Sequence, residues 1–170
     1  MRAFDLGRTF RLVTLPFRPF QHLVTVEDQL ACLSGIRRRL DAGSRLVLDL
    51  FNPSVEALAQ PVGEESPPES EFTTPDGRRV TRRFRIAARD LANQVNQVEL
   101  IYYVTHPDGR AERLVHAFPM RYLFRFEAEH LLARAGFEVE QVYSGYDKSG
   151  FGSSYPGELI FVARKDARTL

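Results

Sequence analysis

Four histidines, one cysteine and a stretch of glycines and tyrosines late in the chain are the residues whose types could do chemistry. His22, His106, His116 and His130 follow no metal-ligand spacing, and Cys32 has no second thiol to share a metal or a disulfide. No nucleophile, base and orienting acid fall into a triad-like pattern, so no catalytic residue and no metal ligand is assigned. Gly150-Phe-Gly152-Ser-Ser-Tyr155 is one glycine short of the phosphate-cradling G-x-G-x-x-G. A strand rather than a helix follows it, so a hairpin connection is the simpler reading. The run RRVTRRFR displays Arg79, Arg83 and Arg85 on a strand. Net charge is only +1, and no aromatic platform shares that face, which argues for a solvated outer surface rather than a nucleic-acid grip.

The elements that must position any site follow from hydrophobic period. Phe10–Leu15 reads as a strand stopped by Pro16 and Pro19. In TVEDQLACLSGIRRRLDAGSR, Thr25 and Asp28 approximate a capping box, and Val26, Leu30, Leu33, Ile36 or Arg37, and Leu40 keep helical spacing. Gly43 is the expected stop, and IRRRL the exposed flank with cations near the C-terminal dipole. RLVLDLFNP is nearly continuous apolar, the pattern of a parallel strand covered on both faces. Strand, helix and strand make a βαβ unit. QPVGEESPPES is acidic and proline-rich and reads as a mobile surface loop. From Glu71 to Met120 the pattern is β, with Val80, Phe84 and Ile86 on one face and PDG turns at Pro75–Gly77 and Pro107–Gly109. This predicts an antiparallel sheet of three to five strands. FEAEHLLARAGF returns to helix with Gly136 as the stop, then Val139–Tyr143 and Glu158–Ala163 read as strands.

The single cysteine fits a reducing compartment, and Asp5, Arg8 and Arg11 interrupt any signal-peptide core. No apolar run is long enough to span a bilayer as a helix. The expectation is a cytoplasmic protein with no nucleic-acid or membrane partner.

Several passages resemble class I S-adenosylmethionine-dependent methyltransferases. LDAGSRLVLDLFNP is similar to the passage leading into their fifth strand, LLARAGFEVEQVYSGYD to their last helix and sixth strand, and ELIFVARK to their reversed final strand. The run from Phe10 through QHLVTVEDQLACL resembles the fourth strand, its loop and the next helix. An antiparallel insertion after the fifth strand is similar to that of small-molecule N-methyltransferases, deoxysugar N,N-dimethyltransferases among them. The resemblance implies an α/β fold: the C-terminal half of a Rossmann-like methyltransferase sheet, ordered fourth, fifth, seventh, sixth, with an inserted antiparallel β-sheet. The core is expected in residues 1–58 and 121–170, the flexible loop in 59–70 and the inserted sheet in 71–120. MRAFDLGRTF resembles the tail of the stretch before the fourth strand, with Met1 at an internal methionine. That implies an N-terminally truncated chain lacking the Gly-rich cofactor turn, and weak or absent S-adenosylmethionine binding.

Ligands of open α/β sheets sit beyond the carboxyl ends of the strands. The resemblance places Leu15, Pro16 and Phe17 beside the methionine part of the cofactor and Gln21 and His22 near the methyl acceptor. Asn52 would offer a polar edge after the next strand, although Asn-Pro also serves simply to break it. Tyr143, Tyr146 and Asp147 would wall the acceptor pocket, tyrosine faces suiting a cation or a sugar. The inserted sheet would cover the pocket, with His116, Arg121 and Tyr122 facing the acceptor; an acidic substrate would suit Arg121. Methyl transfer needs alignment and water exclusion more than covalent help. Two readings follow: a small-molecule methyltransferase, or a non-catalytic methyltransferase-like dimer serving binding or regulation. In either, the open edge of the fourth strand or the inserted sheet would pair two copies. A third is that an unrelated partner chain completes the fold.

Overall fold

The computed structural model describes residues 6–166. Met1–Asp5, half of the stretch matched to the region before the fourth strand, lies outside them. The chain divides into two compact units: residues up to Leu58 with those from Arg121 onward, and Ala59–Met120.

In the first unit β1 (Phe10–Leu15) leads through a single 3-10 turn, Pro19–His22, into α1 (Val26–Arg39). The Thr25 hydroxyl accepts the Asp28 N–H at 3.1 Å, so the helix starts where its capping residues say it should. It ends earlier than predicted. Leu40 is extended, with φ −96° and ψ 136°, and opens β2 (Leu40–Leu50) instead of closing the helix. Leu40 is buried beside Phe10 of β1, so burial in the sheet wins over one more helical residue. Gly43, φ +72°, is therefore not the helix stop; it lies in the irregularity between the Phe10–Leu40 and Leu12–Arg45 pairs. Of the arginines, Arg38 is exposed as expected, but Arg37 is not a free flank. Arg37 donates to the carbonyls of Gly136 and Asp166, at 3.3 and 3.4 Å.

β2 runs parallel to β1, with Leu12 opposite Arg45 and Leu15 opposite Leu48. On its other side it pairs antiparallel with β8 (Leu159–Lys165), which pairs antiparallel with β7 (Phe137–Tyr143). The order β1-β2-β8-β7 is the predicted fourth-fifth-seventh-sixth arrangement. Leu46, Leu48, Leu50, Phe161 and Ala163 form one core cluster with Leu33 and Ile36 of α1 and Ala128 and Leu132 of α3 (Arg125–Arg134). Each large apolar side chain so buried contributes about 1.5–3 kcal/mol. The opposite face of β2 is not covered as its near-continuous apolar run predicts: Arg45 is exposed and Val47 only half-buried. Gly136, φ +80°, ends α3 as expected, with its N–H on the Ala133 carbonyl. α2 (Val55–Ala59) is a single short helix after β2.

The second unit is a four-stranded sheet in the order β3 (Ser70–Thr73), β4 (Arg79–Asp90), β5 (Val95–Thr105), β6 (Ala111–Arg121). The acidic, proline-rich stretch before it is laid along β4. Gly63, Ser66 and Glu69 donate backbone N–H groups to Ile86, Phe84 and Arg82 carbonyls at 2.7–2.9 Å. Backbone pairing holds it where its side chains bury little. No helix among the described residues is long and apolar enough to cross a membrane.

Candidate active site at the carboxyl ends of β1 and β2

Asp49 interrupts the apolar run of β2 one residue before its end, and it organises the strand ends. It is only 3 % exposed. Its Oδ2 accepts two hydrogen bonds, from the Phe17 N–H at 2.9 Å and from the Tyr146 hydroxyl at 2.7 Å. Its Oδ1 is buried and has no hydrogen-bond partner. The Asp49 carboxylate pushes the Tyr146 phenol up to about 12, because ionising the phenol breaks their hydrogen bond and places two anions side by side.

The turn that delivers Phe17 to Asp49 is conformationally costly. Phe17 and Arg18 both adopt left-handed φ, 61° and 63°. Non-glycine residues there cost on the order of 1–3 kcal/mol each and persist only where their surroundings dictate them. Here the Asp49 bond fixes the Phe17 amide, while Arg18 pairs with Glu158 at 2.9 Å and stacks over the Phe51 ring at 5.4 Å. The outcome is an outward-facing Phe17, 87 % exposed, with Tyr146, Tyr155 and Val55 also exposed in this unit.

The β7–β8 loop is tied to the same strand ends. Asn52 donates to the Pro156 carbonyl, the Tyr155 hydroxyl accepts the Val55 N–H at 3.3 Å, and Tyr146 reaches Asp49. Glu158 N–H to Ser144 carbonyl, 2.7 Å, closes the loop at its base. Asn52 therefore does more than break a strand: it anchors this loop.

The structure gathers some of the sequence-predicted residues and not others. Leu15, Pro16 and Phe17 form the β1 end, and Phe17 and Tyr146 meet on Asp49. Gln21 is fully buried and turned inward; its amide donates to the Arg121 carbonyl at 3.0 Å and accepts the Phe51 N–H at 2.7 Å. His22 is exposed on the 3-10 turn. The Arg121 guanidinium bonds the Val24 carbonyl and Glu127, at 3.3 and 3.4 Å, so those contacts hold it in place. Tyr122 is buried edge-on against Phe124, 5.9 Å between ring centres. Tyr143 sits in β7 opposite Ile160, and Asp147 accepts from Ser149 within its own loop. His116 belongs to β6, its ring 5.2 Å from Phe118. Among the described residues no group of three His, Cys, Asp or Glu is arranged to hold a metal ion.

No protein-family model matches the chain, and no curated protein matches it. Solved structures do. The amino pentose methyltransferase CalS10 of Micromonospora echinaspora superposes over 96% of this chain and 61% of its own, at 24% identity and TM-score 0.69. An S-adenosylmethionine-dependent methyltransferase of Clostridium acetobutylicum matches 98% of this chain and 62% of its own, at 10% identity and TM-score 0.75. The sugar N-methyltransferase KedS8 of a Streptoalloteichus species matches 97% and 60%, at 20% identity and TM-score 0.71. The fold is that of the class I S-adenosylmethionine-dependent methyltransferases. The chain spans about three fifths of the length of these methyltransferases. The match to the Clostridium acetobutylicum methyltransferase covers 98% of this chain, and so takes in both the sheet with its reversed final strand and the sheet of the second unit.

Sequence reasoning passed over Asp49. The available signal was one acid inside LVLDLF, a run otherwise apolar enough to be buried. Its partners lie 32 and 97 residues away, so nothing local to Asp49 names them.

Proposed function

We propose that this protein is an S-adenosylmethionine-dependent methyltransferase acting on a small polar molecule, and that these 170 residues alone bind the cofactor weakly. The observation that carries the reading is the methyltransferase-type sheet, β1-β2-β8-β7, in which the carboxyl ends of β1 and β2 meet at a strained turn and a buried carboxylate. When bound, S-adenosylmethionine supplies an electrophilic methyl on a sulfonium. Leu15, Pro16 and Phe17 would flank its methionine end, and the exposed Phe17, Tyr146 and Tyr155 would shield the reacting pair from water. Gln21 and Arg121 act indirectly, bracing the loops behind that surface. Weak cofactor binding is expected because no glycine-rich turn leading from a strand into a helix occurs among the described residues, and such a turn is what lets a backbone approach a nucleotide. The lone buried Cys32 suits a cytoplasmic setting.

Calorimetry of the 170-residue chain with S-adenosylmethionine tests this. Dissociation constants of about 1 mM or weaker are expected; micromolar affinity overturns the weak-binding part. Transfer of a labelled methyl group to small amines or sugars at saturating cofactor tests the activity. A folded chain that yields no product favours the second reading, a non-catalytic methyltransferase-like dimer. That reading draws on β1, a sheet edge among the described residues whose Leu12 is 53 % exposed. Sedimentation then reports a dimer through that edge or through the β3–β6 sheet.

A further inference from the structure

We propose that Oδ1 of Asp49 is a ligand-binding position, receiving an N–H or O–H donor from a small polar ligand, with Tyr146, anchored on the neighbouring Oδ2, as the side chain that moves aside to admit it. This deepens the methyltransferase reading by naming the group that recognises the acceptor. A carboxylate oxygen buried in protein is expected to have a donor, and one without calls for an explanation. Both donors to Asp49 crowd onto Oδ2, while Oδ1 has none. Arg18, beside Phe17 in the same turn, is committed to Glu158. A carboxylate accepts only, so what complements Oδ1 is a donor, with a cationic one favoured.

The surroundings are built for function rather than packing. Phe17 and Arg18 hold two successive left-handed conformations beside the carboxylate. Tyr146 is 67 % exposed and drawn inward by its hydroxyl, on a loop carrying Gly145, Gly150, Gly152 and Gly157. Such a side chain can leave Asp49 without dismantling the core, which lies on the opposite, Leu46–Leu48–Leu50 face of β2. Ammonium and hydroxyl groups offer the same donor chemistry, and probes separate them.

The test is NMR titration of the full chain, with no cofactor present, using D-glucosamine and D-glucose. Saturable shifts of the Phe17 amide and Tyr146 ring are expected. Glucosamine alone identifies an ammonium; equal responses identify hydroxyls. Asp49→Asn is expected to weaken binding by roughly tenfold, and Tyr146→Phe, which releases the ring from its anchor on Oδ2 and lets it move aside, to strengthen it by roughly threefold. The proposal is overturned by no saturable response in either wild type or Tyr146→Phe, by unchanged affinity in Asp49→Asn, or by weaker binding in Tyr146→Phe. If Asp49→Asn fails to fold, Tyr146→Phe alone decides. Because binding is read without cofactor, a chain that binds sugar but transfers no methyl sinks the methyltransferase reading and leaves this one standing.

Discussion

Replacing Gln21 by leucine isolates what braces the strand ends. Gln21 is fully buried, and its amide joins two segments that share no other element: the Phe51 N–H at 2.7 Å and the Arg121 carbonyl at 3.0 Å. Leucine fills nearly the same volume, so the cavity contribution is small. What remains is one orphaned N–H and one under-satisfied carbonyl, each costing about 1–3 kcal/mol. A loss of about 3 kcal/mol is expected, a large share of the 5–15 kcal/mol typical of a domain. With a urea m-value of about 2 kcal/mol/M, the midpoint falls by about 1.5 M. Circular dichroism at the helical band reads this unit selectively, because α1 and α3 both belong to it. A midpoint shift below about 0.3 M at unchanged slope would refute the bracing argument and return Gln21 to the acceptor-contacting role its sequence position predicts.

Three further outcomes follow from the geometry. Tyrosine absorbance, undisturbed because the chain has no tryptophan, should show one phenol titrating near 12, and Asp49→Asn should bring it back toward 10. That folded-state value lies above the unfolded one, so the associated stability is present below pH 10 and is lost as pH rises toward 12; a denaturation midpoint flat across that window contradicts it. Gly136→Ala should cost about 1–2 kcal/mol, since φ is +80° and the new Cβ would lie 2.5 Å from the Arg37 side chain; an unchanged melting curve would count against it. Cys32, its thiol pushed up by burial, should react with a disulfide reagent far more slowly in buffer than in urea, and equal rates would show the core open.

Where the sequence was legible, the signal was local. Thr25 and Gly136 mark a helix start and a helix end because capping needs only neighbours. The strand order was readable through several weak passages in fixed order rather than through any one of them. What escaped was set at a distance. Leu40 looks helical by spacing, yet its burial beside Phe10 makes it a strand residue. Phe17 and Arg18 carry no glycine to announce a left-handed turn; it is imposed by Asp49 and Glu158. The acidic stretch before β3 has the composition of a free loop, but its backbone N–H groups found carbonyls on β4. Gln21 bonds the main chain at Phe51 and Arg121, and Arg121 bonds the Val24 carbonyl and the Glu127 carboxylate, partners that no local pattern names.

The placement of β8 bears on how the molecule is made. It follows β1, β2 and β7 in the sequence yet lies between β2 and β7, touching both. During vectorial synthesis the two neighbours must wait, edges bare, until the segment that separates them leaves the ribosome. Folding of the first unit is thus deferred until Leu159–Lys165 has been made, and a nascent chain arrested before Leu159 offers chaperones two unzipped strands rather than half a finished sheet.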